Sequence, residues 1–189
     1  MSGLSLDPRK TALVVIDLQN ALMGFTSAPY PVADVVKRSR QIADALRAKG
    51  GLVVWVRVDI NRILRLPVDQ PTPFAGQQVP AELMEIVPSA GFQDGDMLIT
   101  KHHWGAFAGT ALQQSLTFRG IDTVLLTGVS SNAGVESTLR EGTGLGFAFV
   151  AVEDACSAFD GVEHRYSFEK IFPKLSRVRT SEEVLNALA

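Results

Sequence analysis

Asp17, Lys101 and the turn Gly128-Val-Ser-Ser-Asn-Ala-Gly-Val-Glu-Ser-Thr138 carry the residue types in this chain that could do chemistry together. Asp17 interrupts the end of an apolar run, residues 12–18, where an ionised carboxylate is costly unless it is paired. Burial raises a carboxyl pKa and a nearby cation lowers it, so a group held between the two suits general acid–base work. The alternative is that Asp17 only caps a turn. Lys101 directly follows a second apolar run, residues 96–100. If the two strands are close, its ammonium faces Asp17 and holds negative charge there or on a substrate; otherwise it is a solvated lysine. The 128–138 turn leads from an apolar run into a helical pattern. That arrangement aims backbone N–H groups at a helix N-terminus and favours a bound or developing anion. Gly134 stands in this turn where a reactive side chain could have been.

Other candidates are weaker. His102 and His103 are adjacent, Asp59-Ile-Asn61 is a fragment of a metal motif, and no spacing completes a ligand set, so neither metal nor cofactor is expected. Cys156 has no histidine close to it in sequence and reads as a small packed residue rather than a nucleophile. Phe25, Trp104 and Phe107 could wall an apolar pocket or simply belong to the core. The glycines at 142, 144 and 146 lie in a helical pattern rather than directly after a strand, so they make no dinucleotide fingerprint.

The elements that must position these groups alternate. Strands are expected at 12–18, 52–58, 96–100, 123–127, 147–152 and 176–179, and helices from 32 to the Gly50-Gly51 stop, at 109–118, 131–145 and 162–171. A capping box, Thr180-x-x-Glu183, opens a last helix. Alternating strands and helices imply an α/β fold, a doubly wound, mostly parallel six-stranded sheet with helices on both faces. Such sheets bind ligands beyond the C-terminal strand ends, and Asp17, Lys101 and the 128 turn all lie at such ends. Residues 59–95 show no period and hold five prolines, at 67, 71, 73, 80 and 88, as expected of a lid or substrate loop.

With 189 residues and no linker or repeat, the chain is expected to form a single domain over 1–189. A net charge of -2 gives no reason to expect nucleic acid or an anionic membrane as partner. One cysteine excludes an intramolecular disulfide and points to a reducing, cytoplasmic setting. The start lacks the pattern of a secretory leader, and no apolar run reaches the roughly 20 residues that span a bilayer.

Three segments in order, Val14-Val-Ile-Asp-Leu-Gln-Asn20, Thr100-Lys101 before Trp104-Gly-Ala-Phe-Ala-Gly-Thr110, and Thr127-Gly-Val-Ser-Ser-Asn-Ala-Gly-Val-Glu-Ser-Thr138, resemble the isochorismatase-like hydrolases, a resemblance that runs from about residue 9 to about 180 and includes Val152-Glu-Asp-Ala155. It implies a Rossmann-like sheet of six parallel strands and a homo-oligomer, dimer or tetramer. Most members use an aspartate, a lysine and a nucleophilic cysteine. Asp17 and Lys101 match the first two, and Gly134 stands at the cysteine's position. Val129-Ser130 matches a turn that commonly holds a cis peptide and helps form the oxyanion site. Phe25, Trp104, Phe107, Asn132 and Arg57 are the candidate substrate contacts; isochorismatases carry a glutamine after the second strand that contacts the substrate carboxylate, and in its absence Arg57, Arg62 or Arg65 could bind an anion instead. The family's usual Ser-Ala-Phe after the lysine is Gly105-Ala106-Phe107 here.

Without a thiol at 134, covalent acyl transfer at that position is not available. Isochorismatases proper share the glycine and add water to a vinyl ether. The resemblance therefore implies a metal-independent hydrolase of a small anionic molecule with Asp17 as general acid. Two alternatives stay open: a catalytically silent ligand-binding or interaction member, and an amidohydrolase using activated water.

Overall fold

Six strands pair into one sheet whose neighbours are all parallel, in the order β3-β2-β1-β4-β5-β6. They are β1 Thr11–Ile16, β2 Leu52–Val58, β3 Met97–Lys101, β4 Thr123–Val129, β5 Ala148–Ser157 and β6 Arg177–Arg179. The structure, a computed structural model, describes residues 3–71, 74 and 76–189. Every residue of β1 is buried because it is central and covered on both faces. Five helices provide the cover: α1 Val32–Ala48, α2 Leu112–Phe118, α3 Glu136–Gly144, α4 Gly161–Tyr166 and α5 Ser181–Leu188.

Strand alternation divides the core in two. Leu13, Val15, Val53, Trp55, Leu125 and Val150 face α1 and α5, where they meet Val35, Ile42, Leu46, Val184 and Leu188. Val14, Ile16, Val54, Val56, Val124 and Leu126 face the other way, against Leu112, Leu116, Leu139, Phe168 and Phe172. α5 begins with the expected capping box: Thr180 Oγ1 accepts from Glu183 N at 3.2 Å, and Thr180 N donates to Glu183 Oε2 at 2.8 Å.

Several boundaries differ from the sequence expectation, each for a physical reason. β5 continues five residues past Val152. Its pairing with β4 shifts register between Leu126 and Gly128 and then resumes as Gly128 with Cys156 and Val129 with Ser157. Glu153 and Asp154 break the apolar run and read as a strand end, yet both are engaged: Asp154 accepts from Ser181 N and Oγ at 2.6 Å, and Glu153 accepts from Tyr30. α2 starts at Leu112 rather than Gly109. The helix expected at 131–145 opens with a wide π turn, Ser131–Val135, before α3, and the one expected at 162–171 ends as a π turn, Ser167–Ile171.

The long segment 59–95 is only partly a surface loop. Three 3₁₀ turns, Ile60–Arg62, Ala81–Met84 and Pro88–Ala90, punctuate it. Its second half packs down: Val87 and Ala90 join the α1-side core, Val87 N donates to Leu18 O at 3.0 Å, and Asn20 N donates to Glu85 O at 2.9 Å. Leu64, Leu66 and Val68 in the first half stay exposed. Pro73 lies outside the described residues.

Candidate active site

The sheet winds outward in both directions from the β1–β4 pair, so the crevice at their C-terminal ends is the topological switch point. Asp17 directly follows β1. Its backbone is left-handed, at φ 55, a conformation that aspartate tolerates better than most residues. Flanking hydrogen bonds hold it there, from Asp17 N to Val56 O and from Gln19 N to Asp17 O, both 2.9 Å. Gln19 in turn brackets the end of β2, accepting from Val58 N at 2.8 Å and donating to Val58 O at 3.2 Å.

Lys101 ends β3, which is not next to β1: β2 lies between them. The long lysine stem crosses the end of β2, and Nζ reaches Asp17 Oδ2 at 2.8 Å. Lys101 is 1% and Asp17 7% exposed. Burial pushes the Asp17 carboxyl above its ordinary pKa, and the Lys101 charge and hydrogen bond only partly oppose the rise. Nζ also donates to Trp104 O at 2.6 Å. Asp17 Oδ1 is the one buried side-chain oxygen without a partner among the described residues.

The turn after β4 closes over this pair. Gly128 has φ 120, and any Cβ there would collide with the Ile16 backbone, so only glycine lets β4 meet the end of β1 this closely. The Val129–Ser130 peptide is cis. Ser130, 7% exposed, donates to Asn132 Oδ1 at 2.8 Å. Gly134 sits directly over the ion pair: a Cβ there would stand 3.0 Å from Lys101 Nζ and 3.1 Å from Asp17 Oδ2. The structure thus brings Asp17, Lys101 and Gly134 into contact distance, with Val129, Ser130 and Asn132 on the same turn.

The other sequence candidates are placed less centrally. Phe25 is partly exposed and packs against Phe74 and Phe159 at centroid distances of 5.9 and 5.4 Å. Trp104 offers its carbonyl to Lys101 while half its surface is exposed. Phe107 is buried in the core of the α2–α3 side, stacked on Phe147 at 5.7 Å. Arg57 lies on the sheet face of Val53 and Trp55 and donates to Thr100 Oγ1 at 3.1 Å, whereas Lys101 shares the opposite face with Ile99. Arg62, Leu64, Leu66, His102 and His103 line an open cavity of about 650 Å³ beside the end of β3. Cys156 is buried inside β5, its thiol pushed far up in pKa by that burial. Among the described residues no three His, Cys, Asp or Glu side chains gather where a metal could bind.

One set of groups was not legible in sequence. Ser131 Oγ lies 2.8 Å from His164 Nδ1, and His164 Nε2 lies 3.0 Å from Glu153 Oε1, which also accepts from Tyr30. The hydrogen bond with His164 holds Glu153 below the usual carboxylate range, and burial together with Glu153 pushes Tyr30 up to about 12. Ser131 has no exposed surface. This serine–histidine–carboxylate series ties the turn after β4 to α4 and β5. Its members are 33 and 11 residues apart, and no local spacing announces them.

The fold and site together define a doubly wound α/β protein with a buried carboxylate–ammonium pair at its switch point, under a glycine-bearing helix start. The Isochorismatase domain matches residues 11–183, and the chain belongs to the isochorismatase family. It is 44% identical over 189 residues to the isochorismatase family protein YecD of Escherichia coli O157:H7, covering 98% of this chain and 100% of that protein. It is 29% identical over 181 residues to the ureidoacrylate amidohydrolase RutB of Klebsiella pneumoniae, covering 81% and 75%. Among solved structures, an isochorismatase family protein from Burkholderia thailandensis superposes with a TM-score of 0.93 at 37% identity, covering 99% of each chain. N-carbamoylsarcosine amidase from Thermoplasma acidophilum superposes with a TM-score of 0.74 at 27% identity, covering 92% and 97%. The chain is accordingly an enzyme of the hydrolase class.

Proposed function

We propose that this hydrolase acts on a small anionic molecule by a non-covalent route in which Asp17 is the general acid and water the attacking group. The observation that carries the reading is the buried Asp17–Lys101 pair at 2.8 Å, with Asp17 Oδ1 unpartnered, lying under a residue that has no side chain. An acid that must give up a proton near neutral pH needs its pKa raised, and burial does this for Asp17. On an isochorismate-like vinyl ether, Asp17 transfers its proton to the terminal carbon of the double bond. Water then attacks the resulting oxocarbenium carbon and gives a proton back to the Asp17 carboxylate. The hemiketal collapses to a ketone and an alcohol. Lys101 stabilises the Asp17 anion between the two proton transfers. Gly134 stands at the family's nucleophile position and leaves no thiol for a covalent intermediate.

The test is pyruvate release from isochorismate by the purified chain, repeated with Asp17→Asn. Removal of a positioned general acid lowers turnover by roughly 10²–10⁴-fold, and an Asn variant as active as the parent refutes the role of Asp17. A second reading, hydrolysis of an amide or ureido group by activated water, is favoured by the names of two relatives, ureidoacrylate amidohydrolase and N-carbamoylsarcosine amidase. Ammonia release from a panel of ureido acids and amides, with no pyruvate from isochorismate, selects that reading. A panel giving no turnover, with ligand binding retained, selects a silent member. The family resemblance also supports a homo-oligomer, a dimer or tetramer, which sedimentation velocity checks directly.

A further inference from the structure

Besides Asp17, the Lys101 ammonium has a second contact, the hydrogen bond from Nζ to Trp104 O. That carbonyl belongs to the loop between β3 and α2, and three consecutive N–H groups of the loop are tied to α3. Ala106 N donates to Thr138 Oγ1 at 3.1 Å, while Phe107 N and Ala108 N donate to Glu141 Oε2 at 3.0 and 3.3 Å. Thr138 itself donates to Gly134 O at 2.7 Å. The helix that follows Gly134 therefore also holds the loop that holds Lys101.

Glu141 can reach this place because residue 105 has no side chain. A Cβ built on Gly105 would fall within contact of both Glu141 carboxylate oxygens. Gly105 is also the position where the resemblance departs from the family's usual serine, and the volume that such a side chain would enter is filled here by a carboxylate arriving from α3. Its location gives no gain to the helix, since a carboxylate in the last turn opposes the helix dipole and α3 has no basic residue there to offset it. What the carboxylate does make is a pair of charge-assisted hydrogen bonds to backbone donors, which are stronger than neutral ones.

We propose that Glu141 is a positioning residue of the site: paired with Gly105, it holds the 104–108 loop, and through the Trp104 carbonyl it holds the Lys101 ammonium over Asp17 and beneath Gly134. Its consequence for turnover rests on the general-acid reading above, so the test is made without a substrate. Lys101 is the charged side chain in contact with Asp17, which makes the Asp17 titration a direct gauge of how well Lys101 is held.

The experiment is a ¹³C-carboxyl NMR titration of Asp17 in the full chain, in Glu141→Ala, Glu141→Gln and Gly105→Ala, with Arg140→Ala as a control on the exposed side of α3. Glu141→Ala and Gly105→Ala are expected to move the Asp17 titration upward by on the order of one pH unit, because a loosely held ammonium lowers it less. Glu141→Gln, whose amide oxygen still accepts, returns most of the shift, and Arg140→Ala leaves the titration in place. If Glu141→Ala does not fold, Glu141→Asp withdraws the carboxylate by one methylene with its charge intact and is expected to shift Asp17 in the same direction. An Asp17 titration that is unchanged in the folded Glu141 variants, or that moves equally in Arg140→Ala, overturns the proposal. A chain inactive on every substrate but showing the expected shifts refutes the general-acid reading and leaves the positioning role standing.

Discussion

At the scale of single residues, the site is a balance of two opposed effects on Asp17. Burial favours the neutral acid, Lys101 favours the anion, and burial is the larger. The sign fixes a testable pH dependence. A general acid works only while protonated, so kcat/KM is expected to fall as pH rises through the raised Asp17 pKa. Lys101→Met removes the charge and hydrogen bond that lower that pKa, and the alkaline limb then moves to higher pH. A limb that stays put, or moves down, shows that another group sets it. Asp17 and Lys101 were legible as candidates because each ends an apolar strand, where a charged side chain is out of place. Their contact was not, since it depends on a lysine stem crossing the end of an intervening strand. Glu141 and His164 gave no signal for the same reason: their partners are distant in sequence.

At the scale of elements, the ends of β4 and β1 are made for each other. Gly128 pairs with Ile16 in the β1–β4 ladder, and its missing side chain allows the backbones to close. Gly128→Ala forces both a collision with Ile16 and an L-residue into φ 120. Each strained backbone residue costs of order 1–3 kcal/mol, so chemical denaturation of this variant should show a loss of at least about 2 kcal/mol. A variant as stable as the parent shows that the turn is more plastic than its geometry implies. The β5 extension is the element-scale feature the sequence concealed. Polar residues at 153 and 154 resemble a strand end, and only their partners on α1, α4 and α5 reveal a continuing strand.

At the scale of the whole molecule, the Asp17–Lys101 end of the sheet and its opposite end are stabilised by different means. Asp96 precedes β3, at the end of that strand remote from Lys101. It accepts two hydrogen bonds from Arg47 of α1, at 2.8 and 2.7 Å, and one from the Trp55 indole at 2.9 Å. Burial by itself would raise the Asp96 carboxyl, but these donors together hold it below the ordinary range. A carboxyl lowered on folding stabilises above its unfolded pKa, about 4, and that contribution is lost as pH falls through the folded value. Asp96→Asn is therefore expected to cost about 2 kcal/mol at neutral pH, the scale of a hydrogen bond to a charged group, and to flatten the acid limb of the stability profile. Denaturation midpoints measured from pH 7 downward check both. Equal slopes in parent and variant would assign acid lability elsewhere. No helix among the described residues is long and apolar enough to cross a membrane.

The order of strands and helices, the two faces of the core and the identity of the strand-end residues were determined by local pattern: apolar periodicity, glycine stops and a capping box act between neighbours in the chain, and the sequence displays neighbours. The tertiary structure alone decided which strand ends meet, how far β5 runs, that Val87 and Ala90 enter the core while Leu64, Leu66 and Val68 stay exposed, and that Phe107 and Arg57 lie away from the Asp17–Lys101 contact. Those outcomes depend on pairs tens of residues apart, whose proximity follows from the sheet order. Gly134 shows the division plainly. Sequence marks it as a position without a nucleophile, and only the fold puts the carboxylate and ammonium directly beneath it.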